Sequence, residues 1–247
     1  ITIESDRIVS LLNRMEQISN NNIKLDYESL NIHEILNHCK RVAENSFGNE
    51  INFINEFEFQ DTEDQANVTS ELLFDLNSGL PMDRLICGDV GFGKTEVALR
   101  GAFNVAMSGA QVAFIVPTTL LCSQHYKNFT KRFKNFPLKV DQISRLNSTS
   151  ENNKIIERIN SGESDVVVGT HALLNSKIKF KKLGMLIIDE EQHFGVSQKE
   201  KIKSLRSNVH VLALTATPIP RTLQMSLVGL RDLSIISTAP LNRQNIN

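Results

Sequence analysis

The sequence predicts an α/β fold: a three-layer domain with a mostly parallel sheet and helices on both faces, preceded by a helical N-terminal extension. Three observations predict it. Six short apolar runs recur after residue 80, the segments between them have helix-forming composition, and the texture of the chain changes near Thr62. Continuous apolar runs are what strands buried on both faces of a parallel sheet require, because neither side of the strand meets water. Connections that can form crossover helices complete βαβ units.

Residues 1–50 differ from the rest. Ile8, Leu11, Leu12, Met15 and Ile18 repeat at helical spacing, as do Leu30, Ile35, Leu36, Cys39 and Val42, and Asn20, Asn21 and Asn22 separate the two patterns. Two amphipathic helices are expected there, with a partly disordered linker as the alternative. A helix is expected over 62–78, with Thr62 as cap and Gly79 as stop. The expected strands are Arg84–Cys87, Val112–Val116, Leu138–Val140, Val166–Val168, Met185–Ile188 and Val209–Leu214, each separated from the next by a segment able to form a crossover helix.

With 247 residues, 40% of them hydrophobic, the chain can bury a full core. No apolar run approaches the roughly 18–20 residues of a membrane span, and Glu4, Asp6 and Arg7 interrupt the start, so no membrane partner and a cytoplasmic location are expected. Cys39, Cys87 and Cys122 are too scattered for a disulfide framework or a zinc site. A net charge of -1 means that any nucleic-acid surface is a local patch. The chain starts with Ile1 and ends in Asn-rich sequence, which reads as a piece of something longer. The expected division is an extension over 1–50, a catalytic domain over 51–240, and over 241–247 the start of a linker to a second motor domain.

Chemistry concentrates in three strings. Gly88-Asp89-Val90-Gly91-Phe92-Gly93-Lys94-Thr95 follows an expected strand and opens an expected helix, the context in which G-x-x-x-x-G-K-T wraps phosphate. Its glycines let backbone N–H groups converge on oxygens, and the helix N-terminus adds a favourable dipole. Lys94 is expected on the β- and γ-phosphates of ATP and Thr95 on Mg²⁺. The domain is therefore expected to be a RecA-like P-loop NTPase. Asp189 and Glu190 end a second strand at the same sheet edge. Asp189 is expected to hold Mg²⁺ through its water shell, and Glu190 to orient or deprotonate the attacking water, with Gln192 nearby. Thr215 and Thr217, in Leu214-Thr215-Ala216-Thr217-Pro218, are expected to sense the phosphate state through Glu190 or Gln192.

The order Gly-Lys-Thr, Pro117-Thr118-Thr119, Gly169-Thr170-His171, Asp-Glu-Glu-Gln, Thr-Ala-Thr resembles superfamily 2 helicases and translocases. Met82-Asp83-Arg84-Leu85 and Thr217-Pro218-Ile219-Pro220-Arg221-Thr222-Leu223 resemble the branch shared by RecG helicases and transcription-repair coupling factors. Phe92 with Glu96, Gln124-His125-Tyr126, and Gly229 to Ile236 are similar to the coupling factors, and the likeness spans about residues 57–240. It implies the first motor domain of an ATP-dependent double-stranded DNA translocase that displaces stalled RNA polymerase and recruits excision-repair proteins. A RecG-like helicase domain, and a nucleotide-binding module with negligible turnover on its own, are the alternatives.

The resemblance also implies roles. Phe59 and Gln65 would read adenine; Thr118, Thr119, Ser144, Arg145, Thr170 and His171 would face the nucleic-acid backbone; Arg221 would join Thr215 and Thr217 in coupling. His193 stands where many relatives carry Arg, and the family's arginine fingers belong to the second motor domain. Two clusters, Lys127/Lys131/Arg132/Lys134 and Lys177/Lys179/Lys181/Lys182, read as solvated surface, with nucleic-acid contact as the alternative.

Overall fold

The computed structural model describes residues 61–205, 209–217 and 231–240. Five α-helices are described: α1 Glu63–Asn77, α2 Lys94–Met107, α3 Thr119–Arg132, α4 Thr149–Ser161 and α5 Val196–Leu205. They alternate with seven strands: β1 Asp83–Gly88, β2 Gln111–Ile115, β3 Val140–Ile143, β4 Val166–Gly169, β5 Leu183–Asp189, β6 His210–Thr215 and β7 Asp232–Ile236. The strands form one sheet in the order β3-β4-β2-β5-β6-β1-β7, and every neighbouring pair is parallel. The expected helices of residues 1–50, and Phe59 and Arg221, lie outside the described residues.

Alternation along the strands builds a core on each face. Val112, Phe114 and Val116 join Met185, Ile187, Leu212 and Leu214 against α1, α2 and α3. Ala113, Ile115, Val167, Leu186 and Ile188 join Ile155, Ile159 and Ile202 on the other face, under α4 and α5. The first core is held by edge-on aromatic packing: Phe114 meets Phe129 at 5.3 Å and Phe129 meets Phe133 at 5.4 Å between ring centroids.

Helix α1 begins as expected. Thr62 accepts a hydrogen bond from the Gln65 amide N–H at 3.3 Å, and Gln65 Oε1 accepts from the Thr62 N–H at 3.1 Å. This reciprocal box satisfies two orphan donors and stabilises the start of the helix by about 1 kcal/mol. Gly79, at φ +76°, follows its end. From β1, the buried Arg84 reaches α1 and β7 at once, donating to Asp75 Oδ2 at 2.6 Å, Glu71 Oε2 at 2.8 Å and Ser234 Oγ at 2.6 Å.

Three differences from the sequence reading stand out. The third strand is Val140–Ile143 rather than Leu138–Val140. A seventh strand, Asp232–Ile236, closes the sheet beside β1. Between β4 and β5 there is no α-helix: only a 3₁₀ turn at His171–Leu174 and an irregular run to Lys182. The buried Gln111 secures that run. Its Oε1 accepts from the Lys181 and Lys182 N–H groups at 2.8 and 3.1 Å, while its Nε2 donates to Ile159 O and Ser164 O at 3.0 and 2.9 Å. All four hydrogen-bonding positions of the amide are used, so the run is fixed without helical bonds of its own.

Candidate nucleotide and nucleic-acid sites

The predicted phosphate loop is the turn from β1 into α2. Gly91 and Gly93 have φ of +81° and +82°, a conformation that side chains oppose. Gly93 is also the N-cap of α2 and carries no side-chain cap, so the first N–H groups of the helix remain for an anion. The chain approaches closely here: a Cβ on Gly93 would lie 2.2 Å from Gln65 Nε2. That amide donates to Phe92 O at 2.8 Å, which ties the start of α1 to the loop. Gln65 is 5% exposed, and one N–H and one lone pair of its amide stay outside these bonds.

Lys94 is 9% exposed and donates through Nζ to Gly88 O at 2.7 Å and Asp89 O at 3.0 Å. Two of its three donors are thus held by the loop's own carbonyls. Burial pulls its pKa down, and the charges of Glu190, Asp189 and Asp89 oppose that shift. Lys94, which opens α2 after β1, and the acid pair at the end of β5 thus lie at one carboxyl edge of the sheet. Asp89 Oδ1 accepts from the Val90 N–H at 2.7 Å, while Val90 itself is exposed. Beneath the loop, Cys87 is a buried thiol pushed up to about 11 by burial, the small-hydrophobe role its strand position predicts.

Glu190 has φ +52°, the one non-glycine residue with positive φ among the described residues. Such backbone costs on the order of 1–3 kcal/mol and persists only where the surroundings hold it. Here they do. Its N–H donates to Leu214 O at 2.9 Å, its Oε1 accepts from the Ala216 N–H at 2.9 Å, and its Oε2 accepts from the Gln192 side chain. Thr215 and Thr217 pair through their hydroxyls at 2.7 Å directly beside that contact. Glu190, bonded to Gln192, thus reaches the Thr215–Thr217 turn through the Ala216 N–H.

Thr95 and Asp189 are half-buried at the same edge. Among the described residues no cluster of three or more His, Cys, Asp or Glu is arranged to hold a metal. A hydroxyl and one carboxylate suit Mg²⁺, which keeps waters and takes the rest of its oxygens from nucleotide phosphates. The donor set therefore fits a metal that arrives with the nucleotide.

The predicted nucleic-acid residues follow the carboxyl ends of β2, β3 and β4, so they occupy one half of the edge and the nucleotide residues the other. Their side chains are not equivalent. Arg145 and His171 are exposed and meet at 3.3 Å between Nη2 and Nε2. Thr118 is exposed but caps α3, accepting from the Leu121 N–H at 3.2 Å, and Thr119 is half-buried in the first turn. Ser144 is 1% exposed, and its hydroxyl meets Asn147 and the Leu146 N–H. Thr170 is 2% exposed and caps the 3₁₀ turn. Ser144 and Thr170 are inward-facing here. The Lys177–Lys182 segment runs to the opposite edge, where Lys182 O accepts from the Gln111 N–H at the start of β2.

Sequence reading assigned no role to His125, which lies 3.5 Å from Asp189. Its signal was a polar residue on the buried stripe Cys122-His125-Phe129 of α3.

Comparison with known proteins agrees with this fold. Residues 62–226 match the family model of the DEAD/DEAH box helicases. The transcription-repair-coupling factor of Rickettsia bellii is 56% identical over 198 residues, 78% of this chain and 18% of that protein. That of Escherichia coli K12 is 54% identical over 191 residues, 77% of this chain and 17% of that protein. This chain thus spans under a fifth of the length of these relatives. A solved structure of RecG bound to a three-way DNA junction superposes with a TM-score of 0.68 at 32% identity, covering 85% of this chain and 30% of that one. The Pyrococcus furiosus Hef helicase domain, at 22% identity and a TM-score of 0.54 over 70% of this chain and 37% of that one, shares the fold. With its lysine-bearing loop and its acid pair meeting at one sheet edge, the chain belongs to the DEAD/DEAH box helicase family, and within it resembles the transcription-repair-coupling factors.

Proposed function

We propose that this chain is the ATP-binding and hydrolysis half of a double-stranded DNA translocase that acts in transcription-coupled repair by displacing stalled RNA polymerase. The observation that carries the reading is the placement of the Lys94 loop and the Asp189–Glu190 pair at one carboxyl edge of the parallel sheet, after β1 and β5. In this reading the loop N–H groups and Lys94 bind the phosphates of ATP. Thr95 and Asp189 hold Mg²⁺, which supplies charge neutralisation on the phosphate oxygens when bound. Glu190 orients the attacking water in line with the γ-phosphate. Its bonds to the Ala216 N–H and to Gln192 make its carboxylate sensitive to the state of both strand ends. Gln65, held against Phe92 O, presents the rest of its amide to the adenine edge. Arg145 and His171 contact the DNA backbone, which positions the motor without reading sequence.

The work on polymerase, the link to excision-repair proteins, a cytoplasmic setting and a second motor domain rest on the coupling-factor likeness. Identities of 54–56% to those proteins, against 32% to RecG, support that reading over a RecG-like one. Among the described residues no helix is long and apolar enough to cross a membrane.

The test is titration of the 247-residue chain and of Lys94→Ala with a fluorescent ATP analogue in Mg²⁺. The variant is expected to keep the circular dichroism spectrum and to lose binding. Unchanged affinity in a folded variant would falsify the phosphate-loop assignment.

A further inference from the structure

We propose that His125 is a positioning residue for the metal-holding carboxylate: its Nε2 restrains one oxygen of Asp189 and leaves the other for Mg²⁺. The inference deepens the proposed function and rests on its assignment of Asp189.

Three observations carry it. First, the ring is 5% exposed and its Nε2 lies 3.5 Å from Asp189 Oδ2. Second, the buried Nδ1 has no hydrogen-bond partner. A bare lone pair is less costly there than an unpaired N–H, so the proton belongs on Nε2, pointing at the carboxylate. Third, the ring is held by packing rather than by polar bonds: it lies 4.8 Å from the Phe114 ring at 35°. A ring clamped against β2 and aimed at the end of β5 has its direction fixed.

A separation of 3.5 Å is a few tenths of an ångström beyond a good hydrogen bond. Contacts of this kind commonly tighten when ligand binds. The restraint also gives α3 a connection in each direction. The helix starts at the Thr118 cap, beside the candidate nucleic-acid residues, and touches the metal carboxylate two turns later.

The test uses the 247-residue chain and two variants. His125→Phe keeps the ring against Phe114 and removes the donor; His125→Gln restores an N–H. Affinity for a fluorescent ATP analogue is measured in EDTA and across a Mg²⁺ series, and Mn²⁺ binding to the nucleotide complex is followed by electron paramagnetic resonance. Outer-shell partners of metal ligands typically change metal affinity 10–100-fold. His125→Phe should therefore raise the metal concentration for half-saturation by roughly 10-fold or more and leave metal-free affinity within about twofold. His125→Gln should show the smaller shift. An unchanged metal dependence in His125→Phe, or an equal loss with and without metal, overturns the proposal. Should His125→Phe not fold, the wild-type ring nitrogens decide: their ¹⁵N shifts should move on adding Mg²⁺ to the nucleotide complex, and stationary shifts overturn it. If the wild type shows no metal-assisted binding, the proposed function itself falls. If it does and His125→Phe behaves identically, only the role of His125 falls.

Discussion

Replacing Gly93 with alanine tests how the phosphate loop is held. Gly93 sits at φ +82°, where a Cβ costs about 1–2 kcal/mol. The new methyl would also lie 2.2 Å from Gln65 Nε2, far inside contact distance, so the amide must move. Moving it breaks the 2.8 Å bond to Phe92 O, a further loss of about 1 kcal/mol. Gly93→Ala should therefore destabilise the nucleotide-free chain by about 2–3 kcal/mol. In a Gln65→Ala background the obstruction is gone, and the same change should cost only the backbone term. Urea unfolding followed by circular dichroism suits a chain with no tryptophan, and a double-mutant cycle isolates the coupling. Equal costs in the two backgrounds, within about 0.3 kcal/mol, would refute the claim that Gln65 packs against this glycine.

Three further outcomes follow from local geometry. Asp64 Oδ2 accepts from the Ser237 N–H at 2.9 Å, Ser237 Oγ at 2.8 Å and the Thr238 N–H at 2.8 Å, and also from the Thr238 hydroxyl. These bonds, the Thr238 hydroxyl foremost, lower its pKa to about 2 from 3.8. A depressed carboxylate pKa means that the contribution is full above the unfolded value and fades as pH falls through the folded one. Asp64→Asn should thus be less stable than wild type at pH 7 and nearly equal to it near pH 2, and a carboxyl ¹³C titration midpoint near 3.8 would contradict this. At the other half of the edge, Arg145→Ala should weaken duplex DNA binding and reduce the salt slope by about 1. Ser144→Ala should leave DNA binding unchanged, because that hydroxyl is turned inward; equal losses in a fluorescence-anisotropy titration would show that the arginine is not a phosphate contact.

The sequence was most legible where physics acts on both sides of a strand. β2, β4 and β5 lie inside the sheet, so their residues had to be apolar without interruption, and the runs announced them. β3 and β7 are the sheet's two edges; β3 was caught only at Val140 and β7 escaped. Val140-Asp141-Gln142-Ile143 places polar residues within the strand, and Asp232-Leu233-Ser234-Ile235-Ile236 is exposed at two positions. A search for apolar runs passes over such strands. The β4–β5 connection misled for a different reason: long-range bonds from Gln111 replace the local periodicity that a helix would have shown. In the site, residue types and spacing disclosed the loop and the acids. They could not disclose that Ser144 and Thr170 turn inward, nor that His125 arrives beside Asp189, since both depend on the stacking of separate elements.

The order of strands also bears on synthesis. β1, which launches the phosphate loop, is hydrogen-bonded to β6 and β7 and to no earlier strand. Its partners emerge from the ribosome more than a hundred residues later, and at the usual elongation rates that is a delay of roughly 6–30 s. Until then the nascent chain holds a glycine-rich loop on an unpaired strand. The loop can therefore take up its fixed place in the sheet only after β6 has been made.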